Sequence, residues 1–251
     1  FLALLGWSLD GETTIIPPAE LCRTFSLDRI TKKHSIFDEK KLDWMNGVYI
    51  RDMGAAAWVD AAKPWLAQTN LDGSNVPDGI TVVPTLTKEE AEAAARELRL
   101  PGADVDADTW EACLADVDDD REFYEAMYPL VAERLAHLDE IPAKLAFLFW
   151  GDSVVLDEKS VKKVLLKEGA RADEALAACR AILADESRAW EAGTLEAACR
   201  ELGEEDALNM KLKLVLQPLR VAVCGNMVSP PLFESIELLP REDVIARIDQ
   251  V

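Results

Sequence analysis

The chain has 251 residues, 49% of them hydrophobic, and sets 27 Lys and Arg against 47 Asp and Glu, a formal net charge of -20. That much apolar material can bury one sizeable core or two or three small ones. No run approaches the roughly 18 apolar residues that cross a bilayer, and no charged-then-apolar leader precedes a small-residue cleavage site, so the expectation is a soluble cytoplasmic chain without a membrane partner. The excess of acid argues on its face against a nucleic-acid partner, because affinity for a polyanion comes mostly from phosphates neutralised by Lys and Arg. What counts is the field at one surface, however, and the charge is uneven.

The chain begins with Phe1, and Phe1 to Leu9 reads as the middle of a helix with no capping residue before it, which predicts an excised or trimmed piece. Gln68 to Pro84, rich in Asn, Asp, Gly and Pro, is the expected linker. Thr87 to Glu90 forms a capping box that should open a helix to Leu100, before Pro101-Gly102 stops it. Asp108 and Glu111 offer a second helix start, and the next helix, about 120–138, should kink or break at Pro129. A weaker break falls at Trp150-Gly151-Asp152. Helices are then expected at 157–168, 171–185, 194–202 and 204–214, with a last one at about 240–250 opening on Pro240, Glu242 and Asp243. The sum is a mainly α chain in three units, 1–70, 71–151 and 152–251, with no solenoid repeat.

Candidate chemistry is scarce. Asp104, Asp106 and Asp108 have the opening spacing of a calcium loop, but Thr109 and Ala115 stand where Gly and Glu are needed. Eight carboxylates and no base lie between Asp104 and Asp120, which reads as a solvated acidic stretch. No phosphate loop, dinucleotide turn or nucleophile elbow occurs. The five cysteines are scattered and read as buried apolar thiols rather than a zinc site. His34 reads as a surface or helix-end residue, and His137 as the cation of a helix C-terminus. Trp44, Trp65, Trp110 and Trp190 read as core. Against the acidic background, Lys159, Lys162, Lys163 and Lys167 recur at helical spacing, and Lys211, Lys213 and Arg220 gather later. No catalytic residue, metal or cofactor site is expected in the chain.

Three segments carry more. Phe25 to Ile30 and Phe37 to Arg51, including Trp44-Met45-Asn46-Gly47, resemble the stretch that follows the lysine signature loop of glutamyl-tRNA synthetases, and Leu4 to Ser8 is similar to the helix end before it. Glu133-Arg134, Leu138 to Pro142 and Phe147 to Phe149 are similar to that family's first anticodon-binding subdomain. Gln217 to Gly225 and Ser229 to Phe233 resemble its C-terminal anticodon-binding segment. The match is thin around 70–120 and 170–210.

The resemblance to bacterial-type members implies a stem-contact unit followed by two helical anticodon-binding subdomains, with the Rossmann catalytic domain and its ATP-positioning signatures absent from this sequence. It implies a monomer that binds glutamate tRNA, with glutamine tRNA as a second candidate, and that lacks activity alone, ATP and magnesium belonging to the catalytic domain. By the same resemblance, Arg134 corresponds to an arginine that recognises the third anticodon base. Arg220 corresponds to an anticodon-contacting arginine, and Ser229, Pro230 and Leu232 correspond to a turn that packs on the loop bases. Two departures stand out: Cys224 replaces the usual Thr, and Pro230-Pro231 replaces a single Pro. The acidity motivates the alternative, a helical protein-interaction module that keeps the scaffold without binding RNA.

Overall fold

The computed structural model describes residues 1–31, 36–74, 80–83, 105–204 and 207–251. The helix expected at 87–100, its capping box and His34 lie outside the described residues.

The chain opens not in a helix but in a single 3-10 turn, Leu2–Leu5, that closes at Gly6. Thr31 folds back to give its amide to the Gly6 carbonyl at 2.7 Å. After α1 (Pro18–Thr24), two helices form that the sequence reading left unassigned: α2 (Glu39–Asp52), capped by the Asp38 carboxylate on the Lys41 amide, and α3 (Ala55–Ser74). The expected linker start at Gln68 and the expected boundary at 70/71 thus fall inside α3. Polar residues near its end find tertiary partners, as when Asn70 donates to Asp116 at 2.7 Å, so local composition loses to packing. A short strand, β1 (Ile80–Val83), pairs in parallel with β2 (Val154–Asp157) in the register Ile80 to Val154, so backbone on both sides of the expected 151/152 boundary joins one small sheet.

Next come α4 (Ala107–Asp119) and α5 (Arg121–Val131). The cap of α4 is Asp106, whose side chain accepts from the Thr109 amide at 3.0 Å, two residues before the expected start. α5 runs past Pro129 by two residues and tightens into a 3-10 turn at Ala132–Arg134, because the proline ring removes an intrahelical bond. His137 therefore caps the start of the next turn instead of ending a helix: its amide and that of Ala136 are accepted by Glu140 at 2.8 and 2.9 Å. Burial alone would push the Glu140 carboxyl up; hydrogen bonds from Lys144, His137 and Ala136 outweigh it and hold it below its ordinary value. α6 (Ile141–Leu145) follows.

In the last third, the helix expected at 157–168 is a turn at Glu158–Ser160 running into a π-helical turn at Val161–Leu165. α7 (Ala172–Leu183) and α8 (Ala192–Glu201) stand close to expectation. Of the helix expected at 204–214, the described residues 207–211 are not helical. Asn209 takes a positive φ of 49°, and the next helix, α9 (Leu212–Cys224), starts just after it. α10 (Leu232–Glu237) and α11 (Arg241–Asp249) complete the chain, α11 with the expected Pro240 start.

One apolar core runs through α3, α4, α5, α6, α7, α9 and α11, from Trp58 and Leu66 through Met127 and Leu145 to Leu219 and Ile248. Trp65, Trp110 and Trp190 pack at its edge, but Trp44 is 51% exposed, contrary to the core reading. Of the cysteines, Cys179, Cys199 and Cys224 are buried as expected, whereas Cys22 is exposed and Cys113 half-buried. Arg247 is fully buried at the break near Gly151, donating to the Gly151 carbonyl at 2.8 Å and to the Val223 carbonyl at 2.9 Å. The break is a pinned turn, not a loose joint.

Candidate nucleic-acid interface

α9 places its apolar residues Val215, Leu219, Ala222 and Val223 in the core and leaves Arg220 half-buried at the edge. The helix stops at Gly225, whose φ of 78° reverses the chain into the turn 226–231. That turn is densely tied. Asn226 accepts from the Val228 amide at 2.8 Å, and Ser160 Oγ accepts from the Met227 amide at 3.0 Å. Arg220 Nη1 donates to the Ser229 hydroxyl, and to the Pro230 carbonyl at 2.7 Å. Among the described residues no hydrogen bond engages Arg220 Nε or Nη2. Burial pushes the Arg220 guanidinium below its usual range, and the positive charge of Arg134 adds to that.

Arg134 approaches from the other side, on the 3-10 turn after α5. It is exposed, and its one hydrogen bond among the described residues, Nη1 to the Leu130 carbonyl, is long at 3.3 Å. Between Arg134 and the turn lies a crevice of about 120 Å³ lined by Lys144, Phe147, Trp150, Asn226, Ser229 and Pro230. Its lining is largely apolar, with Arg134 and Lys144 as its cations, an arrangement that suits an unstacked base.

The sequence-derived residues thus separate by place. Arg134, Ser229 and Pro230 line the crevice, and Arg220 stands behind the turn and holds it. Leu232 is buried in the common core with 4% exposure, so its side chain supports the turn from beneath and is not open to a ligand. Cys224 is buried against the crevice in hydrogen-bond contact with Ser229, and burial pushes its thiol up. Sequence reading missed Trp150, Phe147, Lys144 and Asn226; Trp150 stood out only as a chain break, and nothing in local pattern shows that the break folds over the Gly225 turn.

The Asn46-Gly47 pair has a role that its sequence alone does not reveal. Asn46 donates to the Ala136 carbonyl at 2.5 Å, and a Cβ on Gly47 would meet the Leu135 carbonyl at 3.0 Å. α2 therefore sets the position of the backbone that carries Arg134. Gly47→Ala, which gains about 1 kcal/mol of helix propensity against a tight contact, is expected to melt near the parent. Gly47→Val adds branches at that contact and is expected to cost about 1–3 kcal/mol by overpacking and to move Arg134. Thermal melts of the two variants check this, and equal melting temperatures would refute the close-approach role.

The lysines gather elsewhere. Lys162, Lys163 and Lys167 line a cleft of about 470 Å³ together with Lys213, Gln217 and Met227, so this second cleft adjoins the same turn from its far side. Among the described residues the acidic stretch is dispersed: Asp106 caps α4, Asp116 binds Asn70 and Tyr124, and Asp118 pairs with Lys63 at 2.6 Å. Among the described residues, no group of three or more His, Cys, Asp or Glu side chains could hold a metal.

A family model described as an anticodon binding domain matches residues 83–251. A glutamate–tRNA ligase of Salinispora arenicola is 34% identical over 250 residues, covering 99% of this chain and 44% of that protein. One of Symbiobacterium thermophilum is 30% identical over 261 residues, covering 99% of this chain and 42% of that protein. The chain thus spans less than half the length of the curated relatives it matches. Among solved structures, a glutamate tRNA ligase from Elizabethkingia meningosepticum in complex with its amino acid superposes over 99% of this chain and 39% of that one, with a TM-score of 0.60 at 21% identity. A glutamate–tRNA synthetase from Elizabethkingia anophelis gives 0.63 at 20% identity, over 99% of this chain and 38% of that one, which is likeness of fold. With two thirds of its length matched by that model, the chain belongs to the anticodon binding domain family.

Proposed function

We propose that this chain is the tRNA-reading part of a glutamate–tRNA ligase and recognises anticodon bases at the crevice between Arg134 and the 226–231 turn. One observation carries the reading. Arg134 lines an apolar crevice whose opposite wall is a turn held by Arg220 from a distant part of the chain, in a protein whose net charge of -20 would otherwise repel RNA. Bases unstacked from a loop can lie against Trp150 while Arg134, and the Arg220 donors that no described residue engages, meet them.

Residues 1–70 act as the stem-contact unit and 71–151 and 152–251 as the two anticodon subdomains, a division of labour within one continuous core. Glutamate tRNA is the partner and the monomer the working form. Arg134, placed at the rim, favours glutamate over glutamine tRNA through the third anticodon base; equal charging of both tRNAs by the intact ligase would refute that. ATP and magnesium act in the remainder of the ligase; among the described residues here no group of three or more His, Cys, Asp or Glu side chains could hold a metal.

The test is fluorescence anisotropy with glutamate tRNA and an anticodon-altered copy, at low and moderate salt. The parent should bind the unaltered tRNA more tightly. Arg134→Ala, at an exposed position, should leave the melting temperature in place and cost about 1–3 kcal/mol of affinity, roughly 5- to 150-fold, for the unaltered tRNA only. Parent binding that ignores the anticodon would reduce the chain to a scaffold without a reader.

A further inference from the structure

We propose that the lysine cleft beside the 226–231 turn is a second RNA site, which holds the sugar-phosphate backbone of the strand leaving the anticodon crevice. The inference rests on the anticodon reading above and gives it a second contact surface.

The cleft is larger than the crevice, about 470 against 120 Å³, and four lysines from two separate elements line it. Lys162 is tied to Glu158, but Lys163, Lys167 and Lys213 are exposed and have no carboxylate partner among the described residues. In a chain with 47 acids and 27 bases, converging ammonium groups left without acid make a local positive field against the sign of the whole. Such a field suits a polyanion, and four dispersed point charges suit phosphates better than a planar carboxylate.

The backbone builds the cleft deliberately. The turn after Ser160 is π-helical, with the Leu166 amide bonded to the Val161 carbonyl at 3.0 Å, so its wider coil spreads Lys162 and Lys163. Ser160 at the start of that turn is fixed by Asp157 at 2.6 Å and accepts from the Met227 amide at 3.0 Å. The lysine wall and the reading turn are thereby one unit.

Continuity fixes the occupant. Lys213, Gln217, Arg220 and Cys224 follow one another at spacings of four, three and four, a single face of α9. Lys213 lies about 10 Å along the helix axis from Arg220. Met227 walls the lysine cleft, while its neighbours Asn226 and Val228 wall the crevice. A strand whose base enters the crevice beside the turn that Arg220 holds therefore passes its flanking phosphates over Gln217 to the lysines. Phosphate contacts of this kind position the strand without reading it.

The experiment is the anisotropy titration repeated over a salt series with the triple variant K163Q/K167Q/K213Q, whose melting temperature is checked first. The expected result is a loss of affinity by the same factor for glutamate tRNA and its anticodon-altered copy, with the ratio between them kept. The slope of log affinity against log salt should shrink by about 0.7 for each phosphate lost. An unchanged slope, beside a parent that still discriminates, would overturn the lysine site and leave the anticodon reading standing. A shrunken slope with a parent that does not discriminate would uphold the lysine site and remove the anticodon reading. A parent that binds neither tRNA overturns both.

Discussion

Gly225→Ala is expected to destabilise the protein by about 3 kcal/mol or more and to abolish tRNA binding at temperatures where the parent is folded. Two effects add. The residue sits at φ 78°, where an L side chain costs about 1–2 kcal/mol. Its Cβ would also lie 2.0 Å from the Val155 carbonyl oxygen and 3.1 Å from the Trp150 ring. The first of these neighbours is backbone and cannot rotate away, so β2 must separate from the end of α9. That separation breaks the bond from the Asp157 amide to the Gly225 carbonyl, 2.8 Å, and carries the 226–231 turn with it. Gly54 supplies the control, because it has the same φ of 78° with nothing near its missing Cβ. Gly54→Ala should show the strain alone, and the gap between the two variants should be the clash. At about 2–4 °C per kcal/mol for a chain of this size, the Gly225 variant should melt at least about 6 °C below the parent. Equal melting shifts for the two glycines would show that β2 and the helix end are not in the contact described.

Gly225 also shows how far the sequence could be read. Its presence after Val223-Cys224 was legible as part of a segment resembling an anticodon-binding one, but its need to be glycine depends on β2, 70 residues away in sequence. Elements with strong local signals were legible to within a few residues: α7, α8 and α11 have amphipathic faces and, for α11, a proline start with acid in the first turn. Elements decided by tertiary contact were not. α3 runs through Asn70 because Asp116 meets it, and α9 begins at Leu212 rather than near 204 because Asn209 turns the chain. The three segments that carried the family resemblance meet at one place: Asn46-Gly47 supports the backbone after Arg134, and Arg134 faces the turn held by Arg220. Leu232 was read as a contact residue from its position in that turn, and only burial reveals that it is the turn's foundation. The crevice floor of Phe147 and Trp150 was invisible, because an aromatic that lines a cleft and one that fills a core have the same sequence pattern.

Arg220→Ala is expected to cost about 2–5 kcal/mol of tRNA affinity, the largest loss of any single substitution in the crevice, and to lower the melting temperature as well. The two losses have different origins. Nη1 donates to the Pro230 carbonyl at 2.7 Å and to the Ser229 hydroxyl, so truncation leaves the partly buried Ser229 hydroxyl without that donor and the Pro230 carbonyl with the Ser229 hydroxyl at 2.9 Å alone, at about 1–3 kcal/mol of stability. Nε and Nη2, which no described residue engages, are the groups left for RNA. Arg220→Lys separates the roles. An ammonium on a flexible stem can reach the Pro230 carbonyl and restore much of the melting temperature, but it has no planar fork with which to hold the turn and a base edge together. The lysine variant should therefore melt between the alanine variant and the parent, and bind glutamate tRNA little better than the alanine variant does. Full recovery of affinity by lysine would mean that the position supplies only positive charge, and that base reading rests on Arg134 and the turn. Unchanged affinity in both variants would leave Arg220 as a structural pin and move the recognition of the anticodon away from α9 altogether.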